Sequence, residues 1–181
     1  KSGVPHLDIP QDMAFISTLY KFAKKNNIKY IINGGNISTE CVLTPFKYYY
    51  YGQDMRQIKD ILKKHSTKKF SNYPFSSIFY NQIIIPYFYK IKVLKPLNFI
   101  PYIKREAIEL LKEEYSFKEY PQKHYESRFT KFYEGYWLPT RFNYDVRKRD
   151  LSSLILTGQI SREKSLEILK KAPLTNDEIK K

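Results

Sequence analysis

The chain is short of cysteine and of long apolar runs, and each shortage removes a class of answers. A lone cysteine, Cys41, closes no internal disulfide. The chain is therefore not a disulfide-stapled secreted scaffold, and a reducing compartment suits it best. No apolar run approaches the roughly 18 residues that a membrane-spanning helix requires. The most apolar stretch, residues 83–88, is short and contains Pro86. The first six residues are not followed by an apolar segment and do not read as a signal peptide. These features predict a cytoplasmic location. Position 1 is Lys rather than Met, so the chain is expected to begin inside a larger protein. His6, His65, His124 and Cys41 have no metal-ligand spacing, and no metal is assigned.

What is abundant is positive charge: Lys and Arg outnumber Asp and Glu by 32 to 18, a net +14. Such a balance fits an anionic partner, whether nucleic acid, nucleotide, phosphorylated sugar or acidic lipid. It equally fits compositional drift, because Lys, Ile, Asn and Tyr are all frequent. The lysines fall in scattered pairs at apparent helix ends, where they suit the negative end of the dipole. A hydrophobic share of 42% excludes disorder of the whole chain. The length of 181 residues suits one domain or a domain with a small appendage.

Periodicity sorts the chain into elements. Asp8, Pro10 and Gln11 read as a helix start, with Phe15, Leu19, Phe22 and Ala23 on one face. Residues 28–32 are apolar in succession, as a buried parallel strand would be, and Gly34-Gly35-Asn36 breaks them. Residues 45–52 form an aromatic loop, 54–65 a helix, and 76–89 a helix broken near Pro86. Residues 91–95 are a second strand stopped by Pro96, and 103–115 a helix. From Ser116 the chain changes character, and 123–136 is polar and aromatic without a clean period. Two helices, 146–156 and 161–171, flank Gly158, which suits a helix C-terminus. Thr175 to Glu178 spells a capping box. The expected boundary lies near Pro101, giving an α/β part over 1–100 and a mostly helical part over 101–181.

Four stretches could carry chemistry. Gly34, Gly35, Asn36, Ser38, Thr39 and Glu40 follow the C-terminal end of a predicted parallel strand, the edge at which open α/β sheets bind ligands. The same residues also make an ordinary strand-to-helix turn. Lys104 stands at the first turn of a helix, where a bound anion would offset its conflict with the dipole; simple exposure is the alternative. His124, Glu126 and Arg128, with Arg141 beyond, combine groups for proton transfer and for bidentate anion binding. A surface helix with ion pairs has the same composition. Lys148 and Arg149 lie at another helix start and suggest anion contact. The two helices around Gly158 permit a helix-turn-helix, but Glu163 and Glu167 make the second a poor reader of DNA.

Taken together, several runs resemble one family. Ile9-Pro10-Gln11-Asp12, Gly34 to Glu40, Arg56-Gln57-Ile58-Lys59-Asp60, Lys95-Pro96-Leu97, His124-Tyr125-Glu126-Ser127-Arg128-Phe129-Thr130 and Ser152 to Gln159 look like the C-terminal two-thirds of N-acetyl sugar amidotransferases. These belong to the PP-loop ATP pyrophosphatase superfamily. The resemblance implies an incomplete, Rossmann-like parallel-sheet α/β domain followed by a mostly helical region. It implies adenylation of a sugar acetamido oxygen by ATP, with Mg2+, and then ammonia attack to leave an acetamidino sugar for lipopolysaccharide or flagellin glycans. A glutaminase partner would supply the ammonia, and self-association is left open. By analogy, His124, Glu126 and Arg128 lie at the sugar, Gly34, Gly35 and Asn36 near nucleotide or acceptor, and Lys104 near phosphate. Arg141, Lys148 and Arg149 are further anion contacts. The family's Ser-Gly-Gly-x-Asp-Ser phosphate loop is absent, so this piece alone is expected to be inactive and to expose apolar surface. The rival expectations are a tRNA-modifying PP-loop enzyme and a non-catalytic basic binding module.

Overall fold

The structure, a computed structural model, describes residues 2–45, 50–52 and 54–180. Residues 46–49, half of the aromatic loop expected over 45–52, thus lie outside the described residues. In chain order the elements are α1 (Ile9–Lys25), β1 (Tyr30–Ile32), α2 (Ile37–Glu40), α3 (Met55–His65), a π-helical stretch (Tyr80–Phe88), β2 (Lys92–Leu94), a 3-10 turn (Pro96–Asn98) and α4 (Lys104–Tyr115). Then follow α5 (Arg128–Phe132), a π-helical turn (Tyr133–Trp137), α6 (Leu138–Phe142), α7 (Arg147–Leu156), α8 (Arg162–Lys170) and α9 (Asn176–Lys180). Among the described residues no helix is long and apolar enough to cross a membrane. The chain divides into two compact units, Lys1–Asn33 with Pro45–Leu94, and Gly34–Thr44 with Lys95–Lys181. The segments that follow β1 and β2 both leave the first unit at the strand ends.

In the first unit α1 serves two small cores. Ile9 and Met13 pack with Ile58 of α3, and Ala23 packs with Ile85 and Ile91. Burying each of these larger side chains contributes about 1.5–3 kcal/mol. Of the face read from the sequence, Phe15, Leu19, Phe22 and Ala23, Ala23 is buried and the three larger residues are not. These three remain 62%, 42% and 58% exposed. The stripe of Ile9 and Met13 is covered because Ile58 stands opposite it. Asp8 accepts Gln11 N–H and Asp12 N–H through its backbone carbonyl rather than capping with its side chain. Strands β1 and β2 pair in parallel, Tyr30 with Lys92, Ile31 with Val93 and Ile32 with Leu94. The first strand is not buried as its apolar run suggested. Ile31 packs against the Ala23 core, whereas Tyr30 and Ile32 are exposed. Pro86 lies inside the π-helical stretch; it has no N–H to donate, and Tyr89 N–H reaches back five residues to the Ile84 carbonyl.

The second unit is organised on α7. Ser153 on this helix is wholly buried. The end of α7 is a Schellman motif: Gly158 adopts φ +71°, its N–H donates to the Ile155 carbonyl, and Gln159 N–H donates to that of Leu154. The turn directs Gln159 back toward the helix. Between α5 and α6 the π-helical turn carries an aromatic ladder. Phe129 stacks on Tyr133 at 5.9 Å, Tyr133 meets Trp137 at 5.7 Å, and Trp137 meets Phe142 at 5.0 Å. Tyr125, Tyr133, Leu138, Tyr144, Val146 and Leu174 are the buried apolar residues of this unit. The capping box read at Thr175 is present, with Thr175 N–H donating to Glu178 Oε2 and Glu178 N–H to Thr175 Oγ1. In α4 Leu110, Leu111 and Tyr115 are exposed.

Gly135 shows how closely this unit is packed. A Cβ there would stand 2.7 Å from both Leu174 Cγ and the Tyr125 hydroxyl oxygen. Gly135→Ala gains helix propensity but overfills the site, and it is expected to lower stability by about 1–2 kcal/mol. Urea unfolding followed through Trp137 fluorescence measures this, as a lower midpoint at an unchanged slope.

Candidate functional site

The second unit gathers most of the sequence candidates, and it does so through side chains that hold loop backbone in place. The 34–44 segment has little regular structure, so its polar groups need partners from elsewhere. Asn36 is buried and caps α2: its Oδ1 accepts Thr39 N–H at 2.9 Å and the Thr39 hydroxyl at 3.1 Å. Ile37 N–H donates to Asn98 Oδ1 at 2.8 Å, which joins the loop after β1 to the turn after β2. Ser153 Oγ accepts Val42 N–H at 3.1 Å. The Ser38 carbonyl accepts from Thr157 Oγ1 at 2.8 Å and from Gln159 Nε2 at 3.0 Å. Gln159 Oε1 in turn accepts the backbone N–H of Lys104 at 2.8 Å. One side chain therefore holds both the Gly34–Glu40 turn and the start of α4.

The turn over 121–127 is tied to the same segment. Lys123 Nζ donates to Glu40. Burial alone would raise the Glu40 carboxyl, but the hydrogen bond and charge of Lys123, a backbone N–H from Asn36 and the charge of Lys95 together hold it below its ordinary 4.5. Next in the chain, His124 stands at φ +66°, a left-handed conformation that is costly for a residue with a side chain. Its Nδ1 lies 3.6 Å from Glu126 Oε1, and both side chains are about half exposed. Arg128, exposed, opens α5 after Ser127, whose Oγ accepts Thr130 N–H. His124 and Glu126 form a surface pair suited to moving a proton, and the exposed guanidinium of Arg128, two residues on, is suited to holding an anion.

The remaining candidates separate. Arg149 donates to Asp150 Oδ1 at 2.9 Å and to Thr44 Oγ1 at 3.3 Å, so it stands at the far end of the 34–44 segment. Burial would lower its pKa, and the Asp150 carboxylate outweighs that and raises it. Arg141 lies in the last turn of α6 with its guanidinium 5.9 Å from the Trp137 ring centre and 5.8 Å from that of Phe142. Lys148 is exposed at the start of α7. Gly34 has open space where a Cβ would be. Among the described residues no group of three His, Cys, Asp or Glu could hold a metal ion. Sequence reading passed over Asn98, Lys123, Ser153, Thr157 and Gln159 as site residues. For Ser153 and Thr157 a signal was present, since hydroxyls four residues apart share one helix face.

Residues 126–181 match the family model described as LPS biosynthesis protein WbpG-like, C-terminal domain. The match starts at Glu126 and includes α5 to α9, hence Ser153, which holds Val42, and Thr157 and Gln159, which hold Ser38. No curated protein and no solved structure matches the chain.

Two measurements check this arrangement. Ser153→Ala deprives the Val42 N–H of its acceptor in a buried place and is expected to cost about 1–3 kcal/mol of stability. The Glu40–Lys123 pair makes a pH-dependent contribution. Because the folded-state pKa of Glu40 is depressed, that contribution is complete above the ordinary 4.5 and fades as pH falls through the folded value. The difference in melting temperature between the wild-type chain and Lys123→Gln should therefore be largest near neutrality and shrink below pH 4.5.

Proposed function

We propose that this chain is the acceptor-side part of an ATP-dependent N-acetyl sugar amidotransferase acting in lipopolysaccharide or flagellin glycan biosynthesis. The observation that carries the reading is the match of residues 126–181 to a C-terminal domain of lipopolysaccharide biosynthesis proteins. The hydrogen bonds from that segment to the Gly34–Glu40 turn support it, because they make loop and segment a single surface. The reaction joins the acetamido oxygen to the AMP portion of ATP with release of pyrophosphate. Ammonia then takes the place of AMP at the former carbonyl carbon, leaving an acetamidino group. A glutaminase partner is the proposed ammonia source.

The chain's own residues supply positioning and proton transfer. The Glu126 carboxylate, steadied by His124, takes a proton from the incoming ammonia. Arg128 holds an anionic group of the sugar. Gly34, Gly35, Asn36, Ser38 and Thr39 line the approach to nucleotide or acceptor, and Lys104 faces phosphate. Arg149 fixes the end of the 34–44 segment. Arg141, engaged with Trp137 and Phe142, is given no part in the chemistry. The described residues offer no metal cluster, so no step is assigned to Mg2+ on this chain.

In a protein that carries this chain together with a phosphate-loop domain, Glu126→Gln is expected to lower AMP-forming turnover about 100-fold or more while sparing the fold. Arg128→Ala should chiefly raise KM for the sugar. Unchanged turnover in Glu126→Gln together with an unchanged KM in Arg128→Ala removes the pair from the site. Gly34→Ala adds a methyl group into open space, so its stability should stay within about 0.5 kcal/mol of wild type, and any loss of ligand affinity in it reports close approach to Gly34. The +14 charge favours a second reading, a tRNA-modifying enzyme of the same superfamily. Tight tRNA binding that falls steeply with salt, without response to acetamido sugars, would decide for it.

A further inference from the structure

A cleft in the second unit lies apart from the residues assigned above. It has a volume of about 410 Å³ and is walled by the 121–125 turn on one side and by α8 with residues 171–173 on the other. That volume is in the range of small-molecule sites. Its lining is chemically divided. Tyr125, Pro121 and Pro173 give rigid apolar walls, and Arg147, Lys164 and Lys171 bring three cations. Lys164 projects from the first turn of α8, and Lys171 is the extended residue that ends the helix; both line the cleft.

The charges around the cleft do not cancel. Glu167 is the one carboxylate in its lining, and Asp145 pairs with Arg147 from outside it, through Oδ2 to Nη2 at 2.7 Å and Oδ1 to Nε at 3.0 Å. The Ile168 carbonyl takes a third guanidinium N–H at 3.4 Å. These bonds hold the nine-tenths-buried Arg147 in one orientation and commit three of its five N–H groups. Gln122, whose amide donates to Asp150 at 3.4 Å, adds a neutral polar group at the rim. The Tyr125 phenol is buried and its pKa is pushed up to about 12, so that wall stays neutral.

We infer that this cleft is a binding site for a small ring compound bearing an oxyanion, either a phosphate ester or a carboxylate. Lys164 and Lys171 hold the oxyanion, Arg147 faces it from the floor, and the Tyr125 and proline walls take the apolar face of the ring. The inference stands apart from the amidotransferase reading, because it concerns binding by residues to which that reading gives no role.

The test is a titration of the isotope-labelled chain, followed by backbone amide shifts, with inorganic phosphate and separately with acetate at fixed ionic strength and pH 7. The site predicts saturable shifts at Gln122, Lys164 and Lys171. It also predicts affinity about five- to tenfold weaker in the double variant Lys164→Gln, Lys171→Gln. Both lysines are exposed, so this variant should fold, and the exposed pair Lys68→Gln, Lys69→Gln serves as control with unchanged affinity. Saturation by phosphate alone identifies phosphate esters as the ligand class; saturation by acetate as well admits carboxylates. Shifts that do not saturate, that spread over lysines throughout the chain, or that are the same in both double variants overturn the proposal. Failure here leaves the amidotransferase reading untouched, since that is read from AMP formation.

Discussion

The second unit depends on a requirement of the backbone. A segment whose regular structure is the single turn of α2, 34–44, must have its other amides and carbonyls satisfied, and α7 with its C-terminal turn supplies much of what it needs. Ser153, Thr157 and Gln159 hold Val42, Ser38 and, across to the next loop, Lys104. Net hydrogen-bond energies of about 1 kcal/mol each do not by themselves hold a fold together. Their weight comes from the alternative, which is buried peptide groups left without partners. This is why hydroxyls and one amide, rather than larger apolar residues, occupy that face of α7.

The same requirement explains what could be read from the sequence. Helix ends with side-chain punctuation were legible. The Thr175–Glu178 box and the Gly158 terminus act within a few residues, and the chain there spells its own geometry. Both strands were placed to within two residues for the same reason. The buried face of α1 was not legible, because Phe15, Leu19 and Phe22 compete with Ile9 and Met13 on grounds of hydropathy alone. Only the position of Ile58, far along the chain, decides between them. The 123–136 stretch showed no period because it joins the end of the 121–127 turn, the five residues of α5 and the start of a π-helical turn, which adds a residue to the repeat.

For the candidate site, residue types were readable and partnerships were not. Asn36 capping Thr39 follows from local spacing. Lys123 meeting Glu40 and Gln159 bridging Ser38 to Lys104 join positions more than fifty residues apart, which no window along the chain can see. Arg141 shows the same for a nearer pair: its guanidinium has the Trp137 and Phe142 rings beside it, which residue type alone does not announce.

The π-helical turn at Tyr133–Trp137 has one more consequence, for how this helix can change by inheritance. An α-helix advances about 100° and 1.5 Å per residue. The wider turn takes up a residue that would otherwise rotate everything beyond it by that angle. Loss of one codon within the turn would let α5 and α6 merge into a regular helix while each keeps the face it now presents. The turn is thus a place where this helix can gain or lose a residue without the face of α6 being rewritten.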